Sequence, residues 1–244
     1  MSARSFPWQL LLMLLLITAA FAAAAFALKP LIYNVEKTQE IKHEIRQFAQ
    51  NAEAVKEIAE EAEAPMPFEQ LYRSIQTYNR WLVELNQGNL DSLVATEIVP
   101  LSMTDYGLPD EVFGVLRIPA MDLEMPIYLG ANENNMANGA AVLTQTSIPI
   151  GGKSTNSVIA GHRGWNGYRY FLDIEKLQVG DLVYITNIWE ELTYRVTEIR
   201  IVNPDDVDAI LIQPGKDMVT LMTCHPPDTG GRYRYLVYCE RVKE

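Results

Sequence analysis

From Val112 to Val242 apolar and polar positions alternate with the two-residue period of half-buried strands. Eight runs stand out between turn signals: FGVLRI, MPIYLG, AAVLT, NSVIAGH, DLVYITNI, LTYRVTEIRIV, DMVTLMTC and RYLVYCERV. So many short strands with so few helices predict one closed or nearly closed eight-stranded β-barrel. GYRYFLDIEKL and NPDDVDAILIQ break the alternation and predict short helical turns between strands.

Ahead of Val112 the period is helical. In residues 34–64, Ile41, Ile45, Phe48, Ala52, Val55 and Ala59 recur every three or four positions. This stripe is thin and partly alanine, which predicts a solvated helical stalk, with a weak coiled coil as the alternative. APMP, from Ala64 to Pro67, breaks the helix. A second helix is expected near 68–87, with Phe68, Leu71, Tyr72, Ile75, Tyr78, Leu82 and Leu85 on one face and Gly88 as its stop. Residues 88–111 read as an irregular connection. Its length predicts that it lies across the next domain, as a lid or a strap.

At the N-terminus no residue between Arg4 and Lys29 is charged. Leu10 to Leu28 would span about 28 Å as a helix, close to the thickness of a bilayer core. Arg4 precedes the run and the flank after it turns acidic. The expected topology is a single-pass membrane anchor with a cytoplasmic N-terminus and an extracellular catalytic domain. The competing reading is a cleaved signal peptide, since AFAAAAFA offers small-x-small sites. The expected organisation is therefore 1–29 cytoplasmic tip and anchor, 30–66 acidic helical stalk, 67–111 helix with lid or connection, and 112–244 barrel.

Lys plus Arg total 20 against 31 Asp plus Glu, a net charge of −11. With Arg4 and Lys29 assigned to the anchor, the remainder is more acidic still. This argues against nucleic acid as a partner. The two cysteines, Cys224 and Cys239, could form one disulfide outside the cytoplasm. Cys224, His225, Cys239 and the distant His162 lack the paired short spacings of a structural zinc site, and no cofactor or metal is expected.

Three residues with useful chemistry fall at strand ends, where a rigid sheet presents side chains to a pocket. His162 ends SVIAGH, Cys224 ends MVTLMTC, and Arg234 begins RYLVY. Each supplies what the others lack. A thiolate is a nucleophile, an imidazolium can protonate a leaving amine, and a guanidinium offers forked donors to a carbonyl oxygen or developing oxyanion. With reference pKa values of about 8.5 and 6.5, the thiolate–imidazolium form is a minor species, on the order of 1%. Slow turnover follows unless substrate binding dries the site.

TLMTC at Thr220–Cys224 resembles the T-L-x-T-C signature of the sortases. VIAGHRG resembles the histidine segment of that family, and RYLVYCERV its closing arginine strand. The order His, Cys, Arg also fits. The resemblance covers roughly Val112–Val242 together with the N-terminal anchor. It implies a mainly β fold, the sortase-type eight-stranded barrel with short helices, preceded by a transmembrane helix and a helical region. It implies a cysteine transpeptidase that cleaves an LPXTG-like sorting signal after Thr and passes the acyl group to an amine. Cys224 would be the nucleophile and His162 the acid/base. Arg234 would contact the substrate carbonyl, with Arg232, two residues earlier on the same strand face, as second choice. Thr223, Trp165 and His225 are candidates for substrate binding.

The runs FGVLRIPAMDLEMPIYLGA and LIQPGKDMVTLMTC look most like the pilin-polymerising class C enzymes. That likeness implies pilin partners and a pilin lysine as the acceptor. The alternative is anchoring of surface proteins to a peptidoglycan cross-bridge. The chain departs from the class C pattern in having no Asp-Pro dipeptide for a lid. His225 also replaces the small hydroxylated residue common after the cysteine. A rival of another class is a non-catalytic surface barrel stapled by Cys224–Cys239. A rival among enzymes is a cysteine peptidase that hands the acyl group to water.

Overall fold

The computed structural model describes residues 8–85, 87, 101–227 and 230–242. All eight expected runs become strands: β1 (Val112–Ile118), β2 (Leu123–Leu129), β3 (Ala140–Val142), β4 (Thr155–Ala160), β5 (Leu182–Asn187), β6 (Glu191–Val202), β7 (Asp217–His225) and β8 (Tyr233–Arg241). They close into a barrel in the order β1-β2-β3-β4-β7-β8-β6-β5. The β2–β3 and β4–β7 contacts are parallel. The other pairs are antiparallel. Closure leaves no unpaired sheet edge.

One apolar cluster draws residues from all eight strands and fills the barrel, Val219, Leu221, Val237 and Cys239 among them. A second cluster packs against β4, β7 and β8 and takes in Met218, Met222, Leu236 and Tyr238 together with Ile210. Ile210 comes from the short 3-10 turn Val207–Ile210, the helical turn expected in NPDDVDAILIQ. Strand β7 is therefore buried on both faces, which explains its near-continuous apolar run. Odd positions of β7 face the barrel and even positions face outward. At its C-terminal end this alternation decides which residues reach the surface.

The apolar N-terminal run and the segment after it form one continuous helix, α1 (Trp8–Glu61). Pro30 lies inside it. A proline there removes one i→i−4 hydrogen bond, and the helix continues on both sides. The apolar N-terminal part is exposed and is long and apolar enough to cross a membrane. The stalk is not solvated: Ile41, Phe48, Ala52 and Ala59 are buried, the first three as part of the core cluster. Polar ties fix the register. Lys37, itself buried, donates to Asn138 Oδ1 at 2.8 Å, and Tyr128 donates to Glu44 at 2.9 Å. Asn34 Nδ2 donates to the Gly167 carbonyl at 2.7 Å, so α1 just after its apolar part touches the loop that follows His162. The thin stripe of the sequence is thus a packing face.

Helix α2 (Glu69–Glu84) buries Leu71, Ile75 and Leu82 as the periodicity predicts. It also buries Asn79, which donates to the Ile148 carbonyl and accepts the Ile148 N–H. That pair pins α2 to the segment between β3 and β4. Leu85, expected on the apolar face, is exposed. Helix α3 (Glu133–Asn138) was not expected; Asn132 caps it by accepting the Asn135 N–H at 2.9 Å. The central part of the expected lid or connection, residues 88–100, lies outside the described residues. Its end, from Leu101 to Glu111, is held by the Glu111 carboxylate, which accepts from Ser102 and from the Met103 backbone.

Candidate active site

Cys224 and Arg234 are direct cross-strand partners on β7 and β8. Residues opposed in an antiparallel pair project to the same face. Cys224 lies two positions beyond Met222, on the outward side of β7, and is exposed. The approach is confirmed by Gly231, whose missing Cβ would sit 3.0 Å from Cys224 Sγ and 2.9 Å from Arg234 Nη1. Thiol and guanidinium thus straddle this glycine. Arg234 Nη1 also donates to the Gly231 carbonyl at 2.7 Å, which turns the guanidinium toward the β7–β8 loop. Arg232 is exposed and lies ahead of β8, outside the ladder that pairs Arg234 with Cys224.

Gly231 has φ +81°. Gly231→Ala is expected to cost about 1 kcal/mol from the left-handed backbone alone. The added methyl would also push Arg234 away from Cys224. A fall in kcat/KM of about tenfold or more should exceed what the lost stability explains. Peptide-cleavage kinetics alongside a denaturant titration measure both.

His162 follows β4, the strand that neighbours β7 on its other side. The parallel ladder pairs Ala160 with Met222. Gly161 then donates its N–H to the Met222 carbonyl at 3.0 Å and accepts from Thr223 Oγ1 at 2.7 Å. Continuing that register brings His162 level with Cys224. Strand β4 itself ends at Ala160, two residues short of the expected end. Gly161 is closely backed by Phe171, since a Cβ there would lie 2.7 Å from the ring. The His162 carbonyl accepts the Phe171 N–H at 2.9 Å, so the histidine segment is gripped on both sides.

Trp165 stacks on the His162 imidazole, with centroids 4.7 Å apart and planes 14° off parallel, and Tyr170 meets it edge-on. Burial by these neighbours holds the His162 pKa below its ordinary value. The imidazolium is thereby made scarcer at neutral pH. The indole is still 46% exposed, so its outer face remains open to a ligand. Trp165→Ala is expected to raise the His162 pKa toward 6.5 by restoring solvent. An NMR titration of the imidazole reads this directly, and an unchanged midpoint would mean that the indole does not desolvate the ring.

Thr223 is buried and faces the barrel side, opposite to Cys224, with its hydroxyl committed to Gly161. It supports the histidine segment and does not line a groove beside the thiol, which corrects its expected place in substrate binding. His225 is half-buried against Tyr235, and its Nδ1 lies 3.3 Å from Glu175. Cys239 pairs with Val219, five residues before Cys224, or about 17 Å along the strand. It faces the barrel while Cys224 faces out, and both are free thiols. A disulfide needs Cα atoms within about 7 Å, so the stapled-barrel reading fails. Burial pushes the Cys239 thiol pKa up, leaving it inert.

Two residues at the site escaped the reading of the sequence. Arg163, next to His162, is buried, and its Nη2 pairs at 2.7 Å with Glu175, which lies in the 3-10 turn Ile174–Lys176. Nothing in the spacing of the chain links that turn to the ends of β4 and β7.

Comparison with known proteins agrees with this architecture. The family model described as "Sortase domain" matches residues 116–242. Sortase A of Streptococcus agalactiae is 30% identical over 160 residues, which is 64% of this chain and 62% of that protein. Sortase D of Bacillus subtilis is 29% identical over 131 residues, 53% of this chain and 63% of that one. The chain thus matches a little over six-tenths of the length of these relatives. Among solved structures, "Sortase C1 of GBS Pilus Island 1" superposes with TM-score 0.68 at 25% identity, covering 84% of this chain and 93% of that one. Sortase C from Clostridium perfringens gives TM-score 0.64 at 31% identity, covering 83% and 99%. The matched segment holds more than half of the chain, nearly all of the closed barrel, and Cys224, His162 and Arg234, and on these grounds the chain belongs to the sortase family.

Proposed function

We propose that this protein is a cysteine transpeptidase that cuts an LPXTG-like sorting signal after its threonine and transfers the acyl group to an amine. The observation that carries the reading is the direct pairing of Cys224 with Arg234 beside Gly231. In the first half-reaction the Cys224 thiolate attacks the threonine carbonyl carbon. Arg234 donates to the oxygen as negative charge develops there. The Thr–Gly C–N bond breaks, and His162 gives its proton to the leaving amine. In the second half-reaction an acceptor amine attacks the thioester and yields its proton to His162. The C–S bond breaks and the thiolate returns. Water excluded by Trp165 and the histidine segment would favour the amine over hydrolysis.

The acceptor we favour is a pilin lysine, which makes the enzyme a pilin polymerase. Support comes from pilus sortases of known structure that align over 80% or more of the chain, including a pilus-related sortase C of Group B Streptococcus at TM-score 0.64. The apolar start of α1 supports a single-pass anchor, with the N-terminus in the cytoplasm and the barrel outside. The test offers an LPXTG-type peptide with X randomised, together with a lysine peptide from a pilin or a peptidoglycan cross-bridge peptide. Ligation to the pilin lysine is the expected outcome. Ligation to the cross-bridge peptide alone would favour surface-protein anchoring. Free acid as the sole product, even with hydroxylamine present, would identify a hydrolase and overturn the transpeptidase reading.

A further inference from the structure

The residue after the candidate base and the residue after the candidate nucleophile meet at a single atom. Arg163 follows His162, and His225 follows Cys224. Glu175 Oε1 lies 2.7 Å from Arg163 Nη2 and 3.3 Å from His225 Nδ1. Glu175 belongs to neither strand. It comes from the 3-10 turn that closes the excursion from β4 to β5.

The electrostatics make this contact demanding. The Arg163 side chain is only 4% exposed, and its Nε and Nη1 have no hydrogen-bond partner among the described residues. A buried guanidinium without compensation is unfavourable. Among the described residues its charge is answered by Glu175 and by the Tyr235 ring, 5.5 Å from the guanidinium carbon. His225 Nδ1 is likewise buried and has no hydrogen-bond partner among the described residues, Glu175 Oε1 at 3.3 Å being a charge contact. The same ring of Tyr235 packs against His225 at 5.6 Å. One carboxylate oxygen and one ring therefore touch both neighbours. The carboxylate side chain itself is 52% exposed, so it can be altered without opening the core.

We propose that Glu175 is a positioning residue that sets the spacing of His162 and Cys224 by gripping Arg163 and His225 through one carboxylate oxygen. The inference rests on the transpeptidase reading above for its catalytic consequence. A misplacement of about 1 Å between reacting groups can cost up to about a hundredfold in rate. Among the described residues the ion-pair contacts of Glu175 are with Arg163 and His225, not with the Cys224 thiol or the His162 imidazole, so its effect passes through the two residues that it holds.

The test uses the full-length protein in detergent, with Glu175→Ala, Glu175→Gln, His225→Ala and the double variant Glu175→Gln/His225→Ala. Glu175→Ala is expected to lower kcat for LPXTG-peptide cleavage by about tenfold or more, with KM changed by less than about twofold. All measurements are made below the melting transition of each variant. In the Glu175→Gln background, His225→Ala should add little, because the contact that transmits its effect is already weakened. A merely structural role would instead give independent, multiplying losses. Alkylation of Cys224 by iodoacetamide gives a second readout that needs no substrate. Its rate should change by at least about threefold in Glu175→Ala. Wild-type kcat together with an unchanged alkylation rate in Glu175→Ala, or multiplying losses in the double variant, would overturn the proposal. Should the wild-type protein turn over no peptide at all, the transpeptidase reading falls, and the alkylation rate alone then decides whether Glu175 sets the site.

Discussion

Cys224→Ala is expected to abolish cleavage of LPXTG-type peptides, a loss of at least about 10⁴-fold in kcat. Alanine removes the thiol that carries the covalent acyl intermediate of the proposed reaction. Cys224→Ser should be almost as damaging, because a hydroxyl at neutral pH is a far weaker nucleophile than a thiol that is partly ionised. The control is Cys239→Ala. That thiol is buried on the barrel side and faces away from the reaction. Its loss should leave kcat within about twofold and cost about 1 kcal/mol of stability, as for a small core truncation. Steady-state kinetics with a quenched fluorescent peptide compare the three variants. Equal losses at both cysteines would mean that the reaction does not run through Cys224.

Arg234→Ala is expected to cost about 10²–10³ in kcat, the range for removing one donor to a developing oxyanion. Arg234→Lys should recover little of it. An ammonium is a single point of charge and cannot reproduce the planar fork. Arg232→Ala should stay within about threefold of wild type, since Arg232 lies outside the ladder that sets Arg234 opposite Cys224. Single-turnover kinetics separate the chemical step from peptide binding. A larger loss at Arg232 than at Arg234 would show that the substrate carbonyl sits toward the loop, away from the β7–β8 pair.

The contrast between these arginines shows where a sequence stops informing. By alternation alone both would fall on one face of an extended run, because side chains alternate with period two. Only the β7–β8 register says which of them stands opposite Cys224, and register is a property of two strands. The barrel itself was legible because its eight runs are short, β-branched and bounded by turn residues. The His-Cys-Arg set was legible because each member ends or begins such a run. Glu175 was not, since its significance arises from contacts with two strand ends that only folding brings together. Thr223 looked like a pocket residue beside the cysteine. Alternation turns it inward, where its hydroxyl holds Gly161. Helix α1 was misread for a related reason: an alanine-rich stripe is a poor apolar face for a solvated helix, yet small residues let a helix lie close against β1 and β2. Pro30 lies inside α1 and removes one hydrogen bond without ending the helix.

The central claim is a thioacyl intermediate on Cys224, and intact-protein mass spectrometry tests it most directly. The full-length protein is mixed with an LPXTG-type peptide, X randomised, and quenched in acid within the first turnovers. The account predicts an added mass equal to the peptide fragment ending at threonine, mapped to the peptide that holds Cys224. That adduct should be discharged as the hydroxamate by hydroxylamine and be absent in Cys224→Ala. Cleavage that proceeds undiminished in Cys224→Ala, with no adduct at any time in the wild type, would contradict it.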